Sequence, residues 1–161
     1  VGNFAGALTV AFFASFFLIY AYNTDGGALA AKVGSIGESR TLGYQEHGTS
    51  GWFTIFIRGM LCNWMVSMGV VGAMISTSAG SKMAAMWMPV MLFFFMGFEH
   101  SIVNMFLFPF SMIMGGEFTI SDYLIWNEIP TVLGNLVGGF LLVGLPLYWT
   151  HVRTSAERKL V

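Results

Sequence analysis

Charged side chains are the first thing this sequence lacks. Asp, Glu, Lys and Arg make up 9% of its 161 residues, where a soluble domain carries roughly 25%. The few charges present fall mainly in short connecting stretches, which excludes water as the main solvent of the surface and leaves lipid. No run of Lys or Arg occurs and the formal net charge is −1. Nucleic acid is therefore excluded as a partner, because neutralising phosphates needs clustered cations. Cysteine is nearly absent: Cys62 stands alone in an apolar stretch, so neither a disulfide framework nor a metal cluster is expected, and its expected role is packing. The sequence has no H-E-x-x-H, no phosphate-cradling glycine loop and no catalytic triad, so no enzyme, metal or cofactor is expected. Val1 opens the chain with no initiator Met, no basic n-region and no cleavage pattern, and further chain is expected upstream.

What is present is apolar sequence in long runs. A helix needs about 20 mainly apolar residues to cross the hydrocarbon core. Four such runs stand out, at about 1–22, 52–77, 83–114 and 129–150, with 23–51 expected as an extramembrane loop on its Gly, Ser and charged content. All 161 residues are expected to form one transmembrane domain in an all-α membrane protein. The third run is too long for a simple span and carries Glu99 and His100 near its middle. On insertion scales a charged group there costs about 2.5 to 3.5 kcal/mol. Gly97 and Pro109 flank the pair, so a broken helix is expected, with the freed backbone facing protein or a watery cavity.

Lys and Arg set the orientation. Lys82, Arg153, Arg158 and Lys159 fall on one side of a four-span topology, and Lys32 and Arg40 on the other. The positive-inside rule then places the C-terminus in the cytoplasm of a multi-pass cell-membrane protein. Gly2-Asn3 with Gly6 recurs as Gly134-Asn135 with Gly138. Small residues recur wherever membrane helices pack closely; the pattern also fits an inverted repeat of three spans each, in which two spans stand upstream of Val1.

Three stretches resemble a known family. G-F-E-H-S-I-V-N-M-F-L-F-P (Gly97 to Pro109) looks like the fifth-helix signature of formate/nitrite transporters. R-G-M-L-C-N-W-M-V (Arg58 to Val66) is similar to the fourth helix, I-P-T-V-L-G-N-L-V-G-G (Ile129 to Gly139) to the sixth, and Val1 to Tyr22 to the third. The chain is thus identified with the C-terminal part of that family, helices 3 to 6. The resemblance implies an aquaporin-like inverted-repeat bundle, assembled as a homopentamer in the lipid bilayer. It also implies a channel or transporter for small monovalent anions such as formate or nitrite. His100 would be the central pore histidine, Phe93 the cytoplasmic constriction and Val66 part of the opposite one. Asn63 and Asn135 would sit at polar pore-side positions, and Glu99 and Asn104 would support the broken helix. Two departures stand out: the family's second helix has no counterpart, and His47 falls near the place of a lysine often found in the periplasmic approach.

Each residue also has a plainer reading. A membrane His can be a packing residue, a carboxylate beside a helix break can cap freed N–H groups, and a buried Asn can glue helices together. Phe93 lies two helical turns before His100 on one face, while bulk packing is the other reading. Asn63 and Val66, three apart, share a face, and Arg58 near a span end is expected to snorkel. A proton-coupled transporter of a related weak acid shares the inverted repeat and broken helix. A redox-complex anchor would need paired histidines on facing helices, and none is present.

Overall fold

The computed structural model describes residues 1–153, and every regular element among them is helical. In chain order these are α1 (Gly2–Leu18), α2 (Gly27–Ser39), α3 (Leu42–Gln45), α4 (Gly48–Ile75), α5 (Ala79–Phe95), α6 (Ser101–Ile113) and α7 (Ile120–Arg153). Two of them, α4 with 28 residues and α7 with 34, are long and apolar enough to cross a membrane. α1, α5 and α6 are shorter apolar helices. Arg158 and Lys159, counted above for orientation, lie outside the described residues.

The solvent inferred from composition explains the surface. Phe12, Phe13, Phe17, Trp87, Phe95 and Phe140 are all exposed, as are many other large apolar side chains. The interior in turn holds many small or polar side chains: Ser15, Thr41, Asn104, Ser111, Asn127 and Thr131 are almost fully enclosed, alongside apolar ones such as Ile55 and Phe108. With lipid outside, burying apolar area no longer drives packing, so close approach of small residues and internal hydrogen bonds hold the helices together.

α4 packs along α5 and α7, whereas α6 packs on α1 and α2. At the α4–α7 seam a Cβ on Gly134 would run into the Phe56 carbonyl, and one on Gly138 into the Met60 carbonyl. The matching Gly2 and Gly6 of α1 have nothing within 4 Å of the same position. The two copies of the repeated motif therefore stand in different surroundings: one is packed and the other is open.

Segment 23–51, expected as an extramembrane loop, contains the 13-residue α2. Two of its glycines, Gly34 and Gly37, belong to a contact stripe, whereas Gly27 at its start takes a positive φ of +51°. Ala30, Gly34 and Gly37 are buried on one face. There the Ser111 hydroxyl of α6 donates to the carbonyls of Val33 at 3.0 Å and Gly34 at 3.1 Å.

The third apolar run is interrupted at residues 96–100. Gly97 adopts φ +63°, its N–H donates to the Phe94 carbonyl at 3.0 Å, and the Phe98 N–H donates to the Phe93 carbonyl at 3.0 Å. That pair of bonds is a Schellman ending, which needs a left-handed residue where glycine has no steric penalty. Pro109, expected to contribute to the break, lies inside α6 without interrupting it, as Pro89 does in α5.

α7 is continuous, but its hydrogen bonding widens to the π pattern over Leu124–Glu128, Val137–Gly144 and Trp149–Arg153. Its inward positions recur every four residues: Tyr123, Asn127, Thr131, Asn135 and Val143 are buried and Gly139 is half-buried. In an ideal α-helix a four-residue step overshoots a full turn by about 40°. Wider turns remove that drift and hold the stripe on α4 and the helix break.

Candidate functional site

Breaking a helix inside an apolar layer frees backbone groups that must find partners. Asn135 of α7 supplies them. Its Oδ1 accepts from the Ser101 N–H, in the first turn of α6, at 3.1 Å. Its Nδ2 donates to the Glu99 carbonyl at 3.0 Å and to the Gly59 carbonyl of α4 at 2.9 Å. Asn63, one helical turn further along α4, donates from Nδ2 to the Asn135 carbonyl at 2.7 Å. Two asparagines thus bind α4, α7 and the break into one unit.

Glu99 is 1% exposed and its side chain does not cap the freed backbone. Oε2 instead accepts from Asn104 Nδ2 at 3.1 Å and Asn127 Nδ2 at 3.4 Å, and lies 3.5 Å from Arg40 Nη1. Asn104 Nδ2 also donates to Asn127 Oδ1 at 2.7 Å, and Asn127 Nδ2 to the Arg40 carbonyl at 3.0 Å. Thr131 joins through Asn127 Oδ1 at 3.4 Å. A carboxylate in a low-dielectric interior needs both a cation and donors, and here Arg40 is the cation. It stands just after α2, in the segment whose composition reads as a loop.

His100 is the residue before α6, extended at φ −125°, ψ 117°. Its ring stacks on Phe93 with centroids 5.9 Å apart and planes 24° apart. The two line a cavity of about 370 Å³ together with Arg40, Phe98, Val103 and Phe106. His100 Nδ1 is enclosed and has no hydrogen-bond partner. A second cavity, of about 440 Å³, lies over the break and is bounded by Arg40, Tyr44, His47, Arg58, Gly97 and Glu99. Arg40 borders both. Arg58 is half-buried: its Nη2 donates to the Met96 carbonyl at 3.5 Å, and its guanidinium lies 5.8 Å over the Tyr44 ring.

The sequence-derived residues therefore fall into three groups. His100 and Phe93 share a cavity; Glu99 and Asn104 share a buried polar cluster; Asn63 and Asn135 share a tether. Val66 is half-buried on α4 and lines neither of the two cavities. Sequence reasoning missed Asn127, Thr131 and Arg40. For the first two the signal was present, since Asn127, Thr131 and Asn135 repeat at four-residue spacing.

Residues 1–149 match the family model described as formate/nitrite transporter. A probable formate transporter of Methanothermobacter thermautotrophicus is 36% identical over 149 residues, covering 92% of this chain and 47% of the relative. The formate channel FocA of Escherichia coli is 32% identical over 172 residues, covering 96% and 57%. The chain spans about half the length of these two curated relatives. A solved pentameric formate channel with formate bound superposes with a TM-score of 0.73 at 27% identity, over 92% of this chain and 62% of that one.

Proposed function

The chain belongs to the formate/nitrite transporter family, whose members are membrane transporters and channels rather than enzymes, and on that premise we propose that it walls a pore for small monovalent anions such as formate or nitrite. The observation that carries this reading is the cavity in which His100, with an unpartnered Nδ1, faces Phe93 at the helix break. The formate channels among its relatives support the permeant class, and the pentameric channel it superposes on supports a homopentamer.

Moving a bare anion into a low-dielectric constriction costs tens of kcal/mol by Born estimates. The start of α6 offsets part of that with the partial positive charge of a helix N-terminus, and His100 beside it can donate a hydrogen bond or a proton. Phe93 then acts as the apolar constriction on the cytoplasmic side, and Val66 belongs to the opposite one. Glu99 and Asn104, engaged with Asn127 and Arg40, hold the break rather than touch the permeant. Asn135, with its amide committed to three backbone groups, fixes the height at which His100 sits, and Asn63 holds Asn135. Lys82, Arg153, Arg158 and Lys159 on one side of the sequence topology, against Lys32 and Arg40 on the other, favour a cytoplasmic C-terminus by the positive-inside rule.

Formate and nitrite flux into liposomes carrying the full-length protein tests the reading. Wild type is expected to conduct both anions with a flux that depends on pH. His100→Ala is expected to lose that response, and Phe93→Ala to admit larger carboxylates. Wild type that moves neither anion, or variants with unchanged pH response and selectivity, would sink the proposal.

A further inference from the structure

The interior holds a second carboxyl besides Glu99. Glu128 lies about 12 Å in from the start of α7 and is 8% exposed. Its Oε2 accepts from the Tyr123 hydroxyl at 2.9 Å, while its Oε1 is enclosed and has no hydrogen-bond partner. The local winding builds this pair. Residues five apart in an α-helix stand about 140° round from one another, and the π turn over Leu124–Glu128 swings Glu128 toward the face that carries Tyr123. The Tyr123 ring is itself buried and stacks on the fully buried Phe108 with centroids 4.5 Å apart, which holds its hydroxyl in place.

Glu99 and Glu128 each have one enclosed oxygen without a partner, and it is the other oxygen that separates them. Glu99 Oε2 meets two amide donors and the Arg40 guanidinium, whereas Glu128 Oε2 meets one neutral hydroxyl. Among the described residues no cationic nitrogen lies within 4.0 Å of Glu128. Leu124–Glu128 packs on α3 and α4. The titratable groups of those helices are Tyr44, Arg58 and Cys62, with His47 just before α4, and Arg58 is directed to the Met96 carbonyl and the Tyr44 ring. α6, which carries Phe108, has no titratable residue, and Asp122 of α7 is engaged by the Thr119 hydroxyl at 2.6 Å. Glu99 reaches the neighbouring position through Asn127. One guanidinium cannot neutralise two carboxylates, and a buried carboxyl without a cation keeps its proton in place of its charge. We propose that Glu128 is a proton-binding site, a neutral carboxylic acid at pH near neutrality, with the proton on Oε1 and Oε2 as the carbonyl oxygen bonded by Tyr123. Release breaks the Oε1–H bond, passes the proton to water and leaves a second carboxylate beside Asn127, the residue that ties Glu99 to α7. The packing around the break is thereby built to weaken as pH rises.

Infrared spectroscopy of the full-length protein in detergent reads the proton directly. At neutral pH wild type is expected to show the carbonyl stretch of a protonated carboxylic acid, Glu128→Gln to lack it, and Tyr123→Phe to move it to higher frequency as the carbonyl loses its donor. Thermal unfolding supplies a second readout. An unfolded chain releases a Glu proton at about pH 4.3 while the native protein holds this one, so raising the pH favours the unfolded state. Relative to Glu128→Gln, wild type is expected to lose up to about tenfold in its folding equilibrium for each pH unit between about pH 5 and about pH 7. The assignment is overturned if wild type and Glu128→Gln show the same carboxylic-acid band, or if their difference in stability stays constant over that range, as it would for a carboxylate paired with a cation. Should Glu128→Gln fail to fold, Tyr123→Phe still decides, because an unshifted or absent band means that Glu128 carries no proton there. Neither readout depends on anion flux, so the outcome is independent of the pore reading.

Discussion

Asn135 joins three segments through one amide: the Gly59 carbonyl of α4, the Glu99 carbonyl in the break and the Ser101 N–H of α6. Gly59 and Glu99 are buried and Ser101 is half-buried. Each buried backbone group left without a partner costs about 1–3 kcal/mol, so Asn135→Ala is expected to destabilise the protein by about 2–4 kcal/mol. Asn135→Asp, which keeps the acceptor for Ser101 and loses both donors, is expected to fall between it and wild type. Thermal unfolding in detergent checks this, and an Asn135→Ala variant that melts with wild type would remove the tether from the account. The role of this residue was half legible in the sequence. Its place in a repeated Gly-Asn motif drew attention to it, but the three groups it bonds lie 34, 36 and 76 positions away along the chain, and no local pattern encodes them.

At the level of elements, the break depends on one backbone conformation. Gly97 at φ +63° closes α5 and lets the chain turn into the extended His100. A side chain in the left-handed region costs about 1–2 kcal/mol, least for Asn. Gly97→Ala is expected to lower stability by that amount and to reduce anion flux through displacement of His100, with Gly97→Asn milder in both. Equal behaviour of Ala, Asn and wild type in melting and flux would show that the turn is not constrained. The interruption was readable because a Glu-His pair in an apolar run demands an explanation. Pro109 misled because proline is tolerated inside helices when neighbouring segments satisfy the freed carbonyl. α2 was hidden for the opposite reason: glycines and charges describe a loop to composition, yet Gly34 and Gly37 are the spacing that lets α2 lie against Ser111 of α6.

For the molecule as a whole, the exposed faces carry the information. The apolar sides of α1 and α5 are open, and the Gly2 and Gly6 face of α1 has no neighbour, whereas its counterpart on α7 is pressed on α4. Surfaces of this kind are covered by lipid, by further helices or by other copies of the chain. A homopentamer is expected at full length, and native mass spectrometry from a mild detergent checks it: five copies agree, and a stable monomer or dimer contradicts it. The π turns of α7 bear on how this chain is compared with its relatives. Each π turn holds more residues than the α turn it replaces, so one residue can be lost between Val137 and Gly144 without moving the stripe that faces α4. A one-position gap in an alignment over that stretch records a change in the local winding of the helix, and residues on either side of it remain equivalent in space.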